Sequence, residues 1–417
     1  MSIAVPSATR AAELALDLGA FDLEALARTH DTPFYLYDLA VFERRVAALR
    51  TVLPERVRLA YAVKANPHPA VLERMATLGL GADVASGGEL GRVVSAGFDP
   101  DRVVFTGPGK RDPELRAAVA AGIGLITVES PGELRRLDVI AATVGRPVPI
   151  LLRRSLEPGD PPAAETTRII GDAGAGKFGM DDEDLRMSAR FALESPWLEL
   201  RGIHAFGASN VLEAGTLVRH AESTMAFGGE LAAELGFVLR TIDIGGGLGI
   251  PYADGERTLD LVDLASGFEG LNRAWAGDST TAGTEVLIEP GRFLVGPAGV
   301  YVTRVVDAKR VRGRAIVVVD GGINHLLRPA LVGQPQRIRR LRLRDDPAAQ
   351  AEPVTIAGPL CTGLDIMARA LPIEVPEVGE LLVVLDAGAY GYSESMPLFL
   401  SRPLPAEVAI DQRRSSI

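Results

Sequence analysis

Tyr61-Ala62-Val63-Lys64-Ala65-Asn66-Pro67, preceded directly by Val57-Arg58-Leu59-Ala60, decides how the rest of this chain is read. Residues 57–63 are β-branched, aromatic and apolar, and they alternate in their first half, which is a strand pattern. Asn66-Pro67 then stops regular structure. Lys64 therefore stands just past the end of a buried strand, with its amine facing whatever lies above the sheet. Lost solvation there lowers a lysine pKa and makes the amine a nucleophile. Taken alone, the stretch reads better as a strand-end lysine snorkelling to water. The sequence around it reverses that preference.

Working outward, Thr32–Tyr37 reads as a strand, and Phe42, Val46, Leu49 and Leu53 recur at helical spacing. Strands are expected near 57–63, 81–85, 102–105, 123–128, 148–153, 200–204, 240–244 and 285–289. Most gaps hold helical patterns such as Val71/Leu72/Met75/Leu78 and Leu134/Leu137/Ile140. Eight such units over roughly 250 residues suit a (β/α)8 barrel. A doubly wound sheet fits less well, because its glycine-rich turn follows the first strand. Here that first turn is Lys-Ala-Asn-Pro, and the glycines follow the seventh strand. Beyond about residue 297 the pattern changes to strands (300–306, 315–319, 380–385) with few helices between, a separate β-rich domain. Pro158–Gly176 is a loop by composition, on the face where a barrel carries its active site, and is expected to act as a lid.

The 417 residues allow two domains, and 47% hydrophobic with 24% charged residues is the composition of a globular protein. A net charge of -10 argues against a general nucleic-acid binder. One cysteine permits no internal disulfide and fits a reducing cytoplasm. The first residues show neither a signal-peptide pattern nor a membrane span.

The chemistry gathers at the expected C-terminal strand ends, where barrel active sites form. Lys64 follows the first strand, Asp83 lies in the second, and Arg153 ends the fifth. His204 and Phe206 close the sixth, Gly245–Gly249 follow the seventh, and Glu289-Pro290-Gly291-Arg292 ends the eighth. Consecutive glycines let backbone N–H groups approach a phosphate, although the same run also reads as a flexible turn. A buried Glu289 suits a protonated ring nitrogen, and Arg292 suits an anion; a mutual ion pair between them is the alternative. Lysine, phosphate cradle and ring-facing acid together describe a pyridoxal phosphate site. No metal site is expected.

In this order the chain carries YAVKANP, DVASGGEL, KFGM, GGGLGIPY, EPGR, GPLCTGLD and GAYGYS. It resembles the barrel-type pyridoxal-phosphate decarboxylases, the group that includes diaminopimelate, ornithine and arginine decarboxylases. The resemblance covers nearly the whole chain. It implies a TIM-type barrel over residues 37–297, with 1–36 and 298–417 forming the β domain. It also implies a homodimer with shared active sites. By matching motif, Lys64 resembles the Schiff-base lysine and Cys361 the cysteine that reaches the partner's site and protonates the substrate carbon. Asp83, Arg153, Phe206, Ser209, Gly246, Gly247, Glu289, Arg292 and Tyr390 fall at cofactor positions, with Glu289 as the ring-nitrogen partner. Arg292, Arg328, Thr362, Asp365 and Tyr390 fall at substrate positions.

Departures from the diaminopimelate pattern bear on substrate. Phe206 stands where a histidine stacks on the cofactor, His204 is then read as structural, Thr362 replaces a glutamate after the cysteine, and Val332 replaces a tyrosine. Arg328 survives and is free by this reading to hold a distal carboxylate. Together with Gly107-Pro108-Gly109-Lys110 and the ending from Pro397 to Pro403, these residues resemble a branch that decarboxylates amino-acid units in siderophore or antibiotic assembly, sometimes tethered to a carrier protein. Diaminopimelate decarboxylation is the alternative. A racemase is disfavoured by GPLC, and a non-catalytic regulator by the joint presence of Lys64 and Cys361. Five arginines between Arg337 and Arg344 could dock an acidic carrier, or form a solvated face balanced by Asp345 and Asp346.

Overall fold

A computed structural model of the chain describes residues 14–156, 176–341 and 350–411. The stretch expected to be a lid lies outside them apart from Gly176. The first strand, β1 (Phe34–Asp38), is followed by eight strands: β2 (Val57–Ala62), β3 (Gly81–Val84), β4 (Val103–Phe105), β5 (Leu125–Val128), β6 (Val148–Arg153), β7 (Leu198–His204), β8 (Thr241–Asp243) and β9 (Glu285–Ile288). All eight pair in parallel in chain order, and β9 closes on β2 through Val57↔Val286 to Leu59↔Ile288, so the expected barrel is present. Parallel strands covered on both faces must be apolar throughout. Ile150, Leu151 and Leu152 of β6 and Val104 and Phe105 of β4 are accordingly buried.

Contacts divide the described chain into two units: the barrel, formed by Val46–Ile250 and Thr258–Gly291, and a second unit holding 14–45, Pro251–Arg257 and 292–411. In the second unit seven further strands follow: β10 (Gly299–Val311), β11 (Arg314–Val319), β12 (Ile338–Leu341), β13 (Glu352–Ala357), β14 (Ile366–Ile373), β15 (Leu381–Val384) and β16 (Ala406–Ile410). The long strand β10 is the hub: β15 and β11 pair with it, and β1 joins it antiparallel, Phe34 opposite Val302. β16 then lies parallel to β1. The amino-terminal strand thus belongs to the carboxy-terminal sheet, as the resemblance implied. Phe34, Leu36, Val300, Val302, Leu381 and Val383 bury each other there.

The division falls after Arg45, where the sequence reading placed it after residue 36. Helix Leu39–Val52 runs through this point without a break. Its Arg45 is buried, donates to the carbonyls of Leu14 and Phe293, and lies 4.0 Å over the Phe293 ring. Burial lowers its guanidinium to about 9. The boundary near residue 297 shifts similarly, to between Gly291 and Arg292.

Gly107–Lys110 has a structural use in the barrel. Lys110 is buried, and its Nζ donates to the carbonyls of Gly107 and Thr127 and to Glu133 Oε1, each at 2.7 Å. Removing one partner of such a pair strands the other charge in the interior. Lys110→Met is expected to cost about 3–5 kcal/mol in urea unfolding; an unchanged midpoint would mean the pair is not formed. Among the described residues no helix is long and apolar enough to cross a membrane.

Candidate active site

The barrel half of the site begins at Lys64, which sits in a short 3₁₀ turn, Val63–Ala65, directly after β2. Tyr61 Oη donates to the Asn66 carbonyl at 2.8 Å and fixes that turn. Lys64 Nζ lies 2.9 Å from Asp83 Oδ2, and the Asp83 carboxylate is fully buried. Thr106 Oγ1 holds the other oxygen of Asp83. The lysine side chain is 39% exposed, so the amine is paired rather than stripped of water as the sequence suggested.

Three buried groups at neighbouring strand ends come together beside it. His204, Asp243 and Glu289 each bring one ligand-type atom to within 4.8 Å of the others. Among the described residues, both ring nitrogens of His204, Asp243 Oδ2 and Glu289 Oε1 have no hydrogen-bond partner. Burial, and then the Asp243 carboxylate, push Glu289 well above the usual carboxylate range. Burial likewise raises Asp243 to about 7, against the pull of the Gly245 N–H. His204 is pushed down, first by burial and then by Arg153 and Lys64. Burial thus disfavours the charged form of all three groups beside Lys64. His204, read as structural, is in fact 3.9 Å from Glu289. Asp243 was missed, although it ends β8 just as His204 ends β7, the position from which barrel residues reach the active face.

The raised Asp243 has a measurable consequence. A group whose pKa rises from 3.8 to about 7 on folding contributes stability that is complete below pH 3.8 and is lost as pH climbs through about 7. His204 has the opposite dependence, whereas Glu289 is raised by Asp243 itself, so the difference on replacing Asp243 reports the Asp243–Glu289 pair. Relative to the native chain, cofactor-free Asp243→Asn should gain stability between pH 4 and 8, by at most about 4 kcal/mol. A flat difference in urea titrations would contradict the buried, ionisable Asp243.

The glycine turn after β8 is tight rather than flexible. A Cβ on Gly246 would stand 2.5 Å from the Glu289 carbonyl oxygen, and Gly247 has φ 98°. The N–H groups of these two glycines are used by no hydrogen bond among the described residues, which is the arrangement of an anion nest. The Phe206 ring packs against Gly245 at the side of the turn. Ser209 is buried nearby in sequence. Arg153 pairs at 2.8 Å with Glu129 Oε1, and its guanidinium lies 4.6 Å over Phe178 of the KFGM motif. Glu129 also takes the Gly179 N–H at 3.2 Å. This acid binds the end of β6 to the KFGM segment, and the sequence reading did not single it out.

The second unit carries its own cluster. Tyr390 lies between two cations, 4.8 Å from the Arg292 guanidinium and 5.0 Å from that of Arg328. It sits at φ 53°, a left-handed conformation that is costly for a bulky residue and collects at functional sites. Arg292 donates to Tyr252 Oη at 2.6 Å. Cys361 is exposed and Thr362 half-buried. Asp365 does not face a substrate: it is 2% exposed, and its two oxygens accept from the Ile323 and Leu360 N–H groups at 2.8 Å. It pins the cysteine loop instead. The arginine run is likewise used internally. Arg337 pairs with Asp386, Arg339 with Asp254, and Arg340 with Glu380 and Glu374; Arg342 and Arg344 lie outside the described residues.

Residues 39–296 match the family model of the pyridoxal-dependent decarboxylases over their pyridoxal binding domain. The chain belongs to the pyridoxal-dependent decarboxylase family. It is 32% identical to the L-glutamyl-[BtrI acyl-carrier protein] decarboxylase of Niallia circulans, over 94% of this chain and 92% of that one. It is 33% identical to the diaminopimelate decarboxylase of Aquifex aeolicus, over 93% and 89%. Among solved structures, the Helicobacter pylori diaminopimelate decarboxylase complexed with L-lysine superposes with a TM-score of 0.82 at 29% identity, covering 94% of both chains. A pyridoxal-dependent decarboxylase is a carboxy-lyase with pyridoxal 5′-phosphate as cofactor, and the barrel mouth suits that group. It offers a lysine amine, two free glycine amides and a buried carboxyl with an unpartnered oxygen.

Proposed function

We propose that this decarboxylase removes the α-carboxylate of an amino acid whose far end is conjugated, as in a carrier-tethered glutamyl unit. One observation carries the catalytic part: Lys64, held by Asp83 at 2.9 Å, shares the barrel's strand ends with a buried Glu289 whose carboxyl is pushed above its usual range by burial. Pyridoxal 5′-phosphate supplies an electron sink for the carbon that loses carbon dioxide. Lys64 is the residue that holds it covalently, and Asp83 orients the amine. Glu289 would meet the ring nitrogen through its buried carboxyl, and Phe206 would pack against the ring. The amides of Gly246 and Gly247, with Ser209, would take the phosphate, and Arg153, fixed by Glu129, would back Lys64. Borohydride treatment of the cofactor-loaded protein followed by peptide mapping tests this: the label belongs on Lys64.

Cys361 donates the proton that replaces the departing carboxylate. It is exposed on its own chain, as are Leu364, Leu398, Leu400 and Leu404 of the same unit, which supports a homodimer whose second copy receives it. A thiol kept for this purpose suits a reducing cytoplasm. For the substrate, Phe206, Thr362 and Val332 depart from the diaminopimelate pattern, and the Niallia circulans relative is by name a decarboxylase of a carrier-bound glutamyl group. The second reading is meso-diaminopimelate decarboxylation, favoured by the Aquifex aeolicus relative.

A further inference from the structure

Arg328 is the residue that sequence comparison would offer to a distal substrate carboxylate, and the structure shows it already engaged. Its Nη1 lies 2.8 Å from Glu394 Oε2, with the arginine side chain 7% exposed and the glutamate 25%. Its Nε donates to Gln334 Oε1 at 3.3 Å, and its guanidinium faces the Tyr390 ring. The pair is built in by the surrounding backbone. Ser395 Oγ accepts the Leu327 N–H at 3.1 Å and donates to the Gly391 carbonyl at 2.7 Å. The residue before the arginine is thereby stapled to the residue after the glutamate. Pro329 starts the short helix Arg328–Val332, so the arginine is held at a fixed helix start. This is no loose surface ion pair, whose partners come and go at little cost.

We propose that Glu394 determines specificity by neutralising Arg328, so that the enzyme takes amino acids whose far end is an amide, ester or thioester and discriminates against a free distal carboxylate. This rests on the decarboxylase reading above and adds the chemistry of the substrate's far end. A carboxylate arriving at Arg328 must share the cation with Glu394 or displace it. Two carboxylates on one guanidinium repel, and the built-in one is already in place. An uncharged amide or thioester meets no such competitor. Arg328 then serves to hold Glu394 and pack on Tyr390 rather than to select a dicarboxylic substrate.

The test compares L-glutamate with its γ-N-methylamide on cofactor-loaded native enzyme, Glu394→Gln and Glu394→Asp. Affinity is read from the change in the bound cofactor's absorbance, and turnover from carbon dioxide release. The native enzyme should prefer the amide by about tenfold or more. Glu394→Gln frees Arg328 and should raise relative affinity for glutamate by about tenfold or more, in KM rather than kcat, with the cofactor absorbance unchanged. Glu394→Asp should keep the native preference. An equal preference in native and Glu394→Gln enzymes, or a native enzyme that favours glutamate, overturns the assignment. Failure of the decarboxylase reading is separate and visible first, as absence of the borohydride-fixed bond at Lys64.

Discussion

Lys64→Ala should lower decarboxylation by about 10⁴-fold or more, because the amine proposed to hold the cofactor covalently is gone while the rest of the mouth remains. The geometry makes the prediction sharper than loss of activity alone. Asp83 is fully buried, and removing Lys64 leaves its Oδ2 without the ammonium 2.9 Å away. A stranded buried carboxylate either takes up a proton or destabilises the barrel. The variant should therefore still bind cofactor weakly through the glycine turn, lose its borohydride-fixable bond, and gain stability when Asp83→Asn is added. If Lys64→Ala retained a borohydride-fixable bond, the covalent role would pass to another amine and the proposed site would be wrong.

Cys361→Ala should lower turnover by about 10²–10⁴-fold, the range for loss of a positioned proton donor, with cofactor binding intact. The thiol is exposed, so the fold does not depend on burying it. Sharing of sites between two copies adds a second consequence. Mixing inactive Lys64→Ala and Cys361→Ala chains should restore about a quarter of native activity. Half of randomly formed dimers are then mixed, and one of their two sites is whole. Mixed chains that stay inactive although they exchange would place the thiol outside its neighbour's site.

The barrel was legible because its signal is local. Each of its eight strands is a short apolar run bounded by turn residues, and the expected limits differ from the observed ones by a residue or two. Lys64, His204 and Glu289 could be placed at strand ends for the same reason, although His204 was read as structural. Partnerships could not be read this way. Glu129 meets Arg153 across 24 positions, Tyr252 meets Arg292 across 40 and Glu394 meets Arg328 across 66. Nothing in the intervening sequence announces these pairs. The same limit explains the arginine run: three of its members answer acids elsewhere in their unit. Asp365 was assigned to substrate by its motif, but its two oxygens are taken by backbone N–H groups that only the folded loop brings to it. The domain boundary escaped because helix Leu39–Val52 is continuous, and burial of Arg45 against Phe293 depends on a contact between distant residues.

The most direct measurement is carbon dioxide release by the cofactor-loaded enzyme from a carrier-tethered γ-glutamyl thioester and from meso-diaminopimelate in parallel. Release from the thioester, with kcat/KM for diaminopimelate at least about tenfold lower, is the expected result. Efficient release from diaminopimelate with none from the thioester would contradict it, and would make Phe206, Thr362 and Val332 tolerated variations in a lysine-forming enzyme.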